Sequence, residues 1–193
     1  APWKTIDLSR HIGTGSGLGI GVASPEDDLL AMTTDDGSEG LVYFPAQDKV
    51  LSTGPMRTVG STNEPMIMPY IDAYSKHVIF ADMEGNVALF DLVNGNGKPE
   101  RFTVKFSPRF IRTGWLESTW ILAGDKGIMF QSFKDPSDRK VVRFVPEVMN
   151  MWVTGDSKTA LYTLDEGAPT IYRFDIRTRE QLPPIRVRGV TMA

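Results

Sequence analysis

Carboxylates, two histidines and a few large aromatics are the side chains here that could do chemistry, and their spacing decides how far each can be taken. Acids gather where the chain should turn: Asp35, Asp36 and Glu39, then Asp82 and Glu84, then Asp125, then Asp165 and Glu166. Carboxylate oxygens are the ligands a hard cation such as Ca²⁺ takes, but no stretch has the dense spacing of a Ca²⁺-binding loop. Asp and Glu also serve simply as turn formers. His11 and His77 are the only histidines. A nucleophilic triad or a two-histidine metal site would need both to converge on carboxylates or a serine, and they open different strand systems. The absence of cysteine excludes disulfides, thiolate metal sites and cysteine nucleophiles. So sparse a set of proton-transfer groups leans away from an enzyme.

Two further features invite a site. The stretch Gly13-Thr14-Gly15-Ser16-Gly17-Leu18-Gly19-Ile20-Gly21 could cradle a phosphate, but it holds no G-x-G-x-x-G, no P-loop lysine follows, and no helix is signalled after it. A flexible joint leading into a tightly packed strand fits it better. Trp115, Trp152, Tyr70 and Tyr74 are aromatics that could anchor a peptide or a sugar, with packing between neighbouring sheets as the competing use.

What must position these residues is a repeated hairpin. Residues 77–92, HVIFADMEGNVALFDL, hold two short β-type runs around Asp82-Met83-Glu84-Gly85-Asn86. Val, Ile and Phe favour strand, while Asp, Gly and Asn supply the turn. Both faces of the second run are apolar, as for a strand covered on two sides. The glycine before that run recurs as Gly40, Gly85, Gly127 and Gly167, at spacings of 45, 42 and 40 residues, each with acids and an apolar run ahead of it. Each copy fills out to four strands. The first copy gives residues 18–23, 29–33, 41–45 and 50–53, and the second 66–73, 77–81, 87–92 and 101–106. The third gives 110–116, 119–123, 128–133 and 141–145, and the fourth 149–154, 159–164, 170–176 and 185–188.

Four antiparallel strands per repeat of about 40–45 residues is the pattern of a propeller blade. The second copy, VIFADMEGNVALFDLVNGNGK, resembles the WD40-like and YVTN-type β-propeller repeats: a strand, an Asp/Gly/Asn turn, then an apolar strand closing on an aromatic or Ile followed by Asp. Phe90-Asp91 and Phe174-Asp175 fit that ending. Phe44-Pro45 and Phe133-Lys134 depart from it, and the Trp-Asp and Gly-His pairs of true WD40 repeats are absent. The resemblance implies an all-β chain: a β-propeller of four recognisable four-stranded blades, at about residues 12–53, 66–106, 110–145 and 149–188, with partial strands at residues 4–11 and 189–193. Residues 1–193 would form one propeller domain or a piece of a larger one. In such blades the turn between the second and third strands lies on the same face as the loop between blades. Asp36, Asp82, Asp125 and Asp165 could there form a ring that holds Ca²⁺. Trp115 and Trp152 would fall near the axis, with Tyr70 and Tyr74 in the matching strand of the second blade. No other cofactor is expected.

Composition narrows the function classes. A net charge of −3 argues against non-specific nucleic-acid binding, which needs a basic field. No apolar run reaches the length of a membrane span, and 41% hydrophobic residues argue for a folded core. Ala1-Pro2 suits either a processed mature N-terminus, which favours a secreted or periplasmic setting, or a boundary cut within a longer chain. The leading expectation is a non-catalytic scaffold. It would recognise a protein or small ligand through residues 54–65, 107–109 and 146–150 and the turn acids. A Ca²⁺-dependent propeller lactonase or hydrolase stands beside it, as does a structural fragment completed by a partner chain or by self-association. Residues 26–39 are acidic and residues 173–188 arginine-rich, so a head-to-tail contact between first and fourth repeats is a further expectation.

Overall fold

The computed structural model describes residues 8, 11, 17–24, 28–56, 68–72, 76–114, 116–135, 137–143, 147–165 and 170–187. Sixteen strands and no helix occur among them. The first sheet comprises β1 (Leu18–Ala23), β2 (Leu30–Thr34), β3 (Glu39–Phe44) and β4 (Lys49–Pro55), and the second β5 (Met68–Ile71), β6 (His77–Ala81), β7 (Asn86–Asp91) and β8 (Glu100–Thr103). The third comprises β9 (Pro108–Gly114), β10 (Thr119–Gly124), β11 (Gly127–Ser132) and β12 (Arg139–Arg143), and the fourth β13 (Val148–Val153), β14 (Thr159–Leu164), β15 (Thr170–Asp175) and β16 (Glu180–Arg186). Each sheet is a meander in which sequence neighbours pair, the arrangement short polar connections select.

All sixteen expected strands are present. The largest boundary change is in β16, expected from residue 185 and found from Glu180. Pro183 and Pro184 obscure this strand in the sequence. They are tolerated because β16 is an edge strand, and the ladder with β15 shifts register between Ile171 and Arg173 where they fall. The repeat ending also moves. Ser132, not Phe133-Lys134, closes β11, and its Oγ accepts the amides of Lys134 and Asp135. That is the role Asp91 plays towards the amides of Val93 and Asn94. The residue that follows each ending sends its amide to the preceding loop: Leu92 to Lys76, Phe133 to Ser118 and Ile176 to Lys158. Pro45 cannot do this, having no N–H.

The chain packs as two compact units. One is Ala1–Ala81 with Val87–Phe102, and the other Asp82–Asn86 with Thr103–Ala193. In the first unit the core between the first two sheets holds Leu29, Ala31, Val42, Met56, Val78, Phe80, Ala88 and Phe90. Phe80 and Phe90 meet edge to face at 6.3 Å. Gly40 lies so close to the Phe80 ring that a Cβ there would sit 2.4 Å from it, so the aligning glycine of the first repeat is a packing requirement. The opposite face of the first sheet buries Met32, Leu41 and Tyr43 beneath Leu8, and His11 reaches Asp48 at 3.4 Å. In the second unit the third and fourth sheets enclose Ile121, Ala123, Ile128, Phe130, Val148, Met151, Ala160, Tyr162, Phe174 and Ile176. Each such large apolar side chain contributes about 1.5–3 kcal/mol.

Candidate functional site

The His77–Asp72 pair has the look of half a catalytic triad: Nδ1 lies 2.7 Å from Oδ2, and Asp72 is buried. Its place in the sheet indicates a different duty. Asp72 follows β5, and its amide donates to the carbonyl of His77 at 3.1 Å. Ser24 does the same towards Leu29 at 3.0 Å, and Thr154 towards Thr159 at 2.9 Å. In all three turns the side-chain oxygen then collects loop amides. Ser24 Oγ accepts from Asp28 and Leu29, Asp72 Oδ1 from Lys76, and Thr154 Oγ1 from Thr159. Asp72 and His77 therefore close a turn that a serine or threonine closes elsewhere.

The four acids proposed as a cation ring do not share one register. The amides of Asp35, Asp125 and Asp165 donate to the carbonyls of Gly17, Ser107 and Glu147, each just ahead of its innermost strand. These three are equivalent. Asp36 falls one position after Asp35. Asp82 directly follows β6, the equivalent of Gly124 at the end of β10, and its amide pairs with the carbonyl of Asn86. The carboxylates are also engaged. Asp82 is fully buried, with Oδ1 accepting from the amides of Glu84 and Asn86 and Oδ2 from Asn86 Nδ2 at 2.8 Å. Asp36 Oδ1 accepts from Thr34 Oγ1 and the Ser38 amide. Asp125 Oδ1 takes the Ser107 amide at 2.7 Å, and Asp165 is exposed. Among the described residues, no group of three or more His, Asp or Glu side chains is gathered to hold a metal.

Of the four aromatics, Trp115 and Tyr74 lie outside the described residues, as do residues 57–65 and Pro146 of the expected contact loops. Tyr70 and Trp152 occupy the same position of their innermost strands, opposite Ile79 and Leu161. Val22 and Arg112 hold that position in the other two sheets. Tyr70 is half-buried, whereas Trp152 is 48% exposed.

Trp152 belongs to a surface that the sequence reading did not isolate. On the fourth sheet the side chains of β14 alternate, while the ladders to β13 and β16 shift register between Val148 and Asn150 and between Ile171 and Arg173. Val148, Met151, Ala160, Tyr162 and Phe174 enter the core against the third sheet. The opposite face carries a row Trp152, Leu161, Arg173 and Leu182 across the four strands. Next to it on the same face lie Asn150 with Thr163 and Ile171 with Ile185. Leu161, Ile171 and Leu182 are half-buried, and Ile185 is 45% exposed. Arg173 Nε and Nη2 donate to the Pro183 carbonyl at 2.9 and 2.7 Å. The signal was present in the strand itself. Thr159, Leu161 and Thr163 alternate with Ala160, Tyr162 and Leu164, the pattern of a sheet covered on one side. In β10 every residue is buried.

No family model matches the chain, and no curated protein does. Solved structures do. The β-propeller domain of Myceliophteria thermophila Cps50 (Swd1) superposes with a TM-score of 0.62 at 15% identity, covering 89% of this chain and 58% of that one. Kuenenia stuttgartiensis hydrazine synthase gives 0.61 at 15% identity, covering 86% of this chain and 47% of that one. The chain thus spans about half the length of the structures it resembles. At this identity the likeness speaks to architecture alone: the four four-stranded antiparallel sheets are β-propeller blades.

Proposed function

We propose that this β-propeller is a recognition scaffold whose contact surface is the face of the fourth sheet turned away from its core, and that its ligand is a protein. The observation that carries the reading is the row Trp152, Leu161, Arg173 and Leu182 across one face, with Trp152 about half exposed. Aromatic and arginine side chains set among aliphatic ones are the composition of an interface centre. Here they stand on a sheet whose other face is locked into the core, so little ordering entropy is lost on binding. Arg173, tied by two hydrogen bonds to the Pro183 carbonyl, adds a cation.

A displayed library of protein fragments, selected on the wild-type chain and counter-selected on Trp152→Ala, tests the reading. The expected result is a set of binders at least about tenfold weaker towards the variant, the loss typical of a truncated interface aromatic. Binders that hold both proteins equally would overturn it.

A further inference from the structure

Resting on that reading, we infer that the occupant of this face is the same face of a second copy, giving a two-fold symmetric pair of fourth sheets packed face to face. Two observations support this partner. First, the face is apolar in its body: Trp152, Leu161, Ile171, Leu182 and Ile185 lie on the side away from the core. Such a face costs free energy in water and is relieved by burial. Second, its charges have both signs and lie near each other. Arg173 sits opposite Leu161, and one step further along the same face Asp175 pairs with Glu180. A two-fold axis bisecting the line from Arg173 to Glu180 sets each against the other in the partner, so the face is complementary to itself, as an isologous contact requires.

Size sets the expected strength. Four strands of six or so residues present a face of about 20 Å by about 15–20 Å, below the roughly 800 Å² per partner of a standard interface unless neighbouring turns join in. The pair is therefore expected to dissociate in the micromolar range.

Sedimentation velocity of the 193-residue chain from about 1 to about 200 µM, bracketing that range, tests the inference. The expected result is a reversible monomer–dimer equilibrium. Leu161→Asp and Arg173→Glu should each raise its dissociation constant at least about tenfold, and Arg173→Glu with Glu180→Arg should restore it. Far-UV circular dichroism checks that each variant is folded; should Leu161→Asp not fold, Arg173→Glu and the charge swap decide alone. A monomer at every concentration, a dimer indifferent to these substitutions, or a charge swap that fails to restore association would overturn the inference. A monomer whose library binders still discriminate Trp152→Ala would overturn the second copy alone and leave the scaffold reading standing.

Discussion

The ring nitrogen Nδ1 of His77 lies 2.7 Å from Oδ2 of Asp72, and the same carboxylate caps its turn through the Lys76 amide at 2.8 Å. Burial pushes the Asp72 carboxyl up, but the hydrogen bonds from His77 and the Lys76 amide, together with the His77 charge, outweigh it and hold the group below its ordinary value. A carboxylate whose folded pKa is depressed contributes stability that is fully present above its unfolded pKa, about 3.9, and lost as pH falls through the folded value. Asp72→Asn should therefore cost about 1–3 kcal/mol near neutral pH by leaving buried partners badly served. It should also flatten the decline in stability below about pH 4. Urea melts at several pH values check this; a variant with the wild-type acid slope would contradict the assignment.

The meander was legible because hairpin and blade repeat together. Val78-Ile79-Phe80 and its counterparts are short β-type runs, and the glycine that follows recurs at nearly constant spacing, so local propensity and repeat agree. What stayed hidden depended on register. Whether Asp82 and Asp125 are equivalent turns on one residue, and a single-residue offset exchanges the two faces of a strand. The alternation in β14 marked one open face, but only pairing with β13, β15 and β16 joined Trp152, Leu161, Arg173 and Leu182 into one row.

Two glycines should respond oppositely to alanine. Gly85 has φ +88°, and a Cβ there would lie 2.3 Å from the Val104 carbonyl oxygen and 2.9 Å from that of Phe106. Both obstacles are backbone, so the chain must shift. Gly85→Ala should lose at least about 2 kcal/mol from strain and clash together. Gly155 has nothing within 4 Å of the corresponding point and no positive φ. Gly155→Ala should be neutral or stabilise by up to about 1 kcal/mol, by restricting the unfolded chain. Paired chemical melts decide both, and equal losses would contradict the distinction.

The fully buried Asp82 carboxylate accepts from the Glu84 and Asn86 amides and the Asn86 side chain, bonds that tie the β6–β7 turn without a cation. Asp82→Ala should cost about 1–3 kcal/mol, and by the same amount in Ca²⁺ as in chelator. Thermal melts of wild type and variant under both conditions measure this. A wild-type melting temperature that rises with Ca²⁺ while the variant's does not would return Asp82 to the role of a ligand.

The rim clasp between the last two sheets separates charge from backbone strain. Arg179 Nη1 and Nη2 reach Asp138 Oδ1 and Oδ2 at 2.5 and 2.6 Å, and the Arg179 carbonyl accepts from Lys140 Nζ at 2.8 Å. Asp138 is more than half exposed although Arg179 is largely buried, so water screens the pair from the carboxylate side. A double-mutant cycle with Asp138→Ala should give a coupling of about 0.5–1 kcal/mol that shrinks with added salt. Arg179→Lys should lose most of it, because an ammonium cannot make two parallel bonds to one carboxylate. Arg179 also sits at φ +57°, a conformation that costs an L-residue roughly 1 kcal/mol and glycine almost nothing. Arg179→Gly should consequently destabilise less than Arg179→Ala, although both delete the clasp. If the two were equal, the ion pair alone would account for Arg179, and its left-handed backbone would carry no measurable strain.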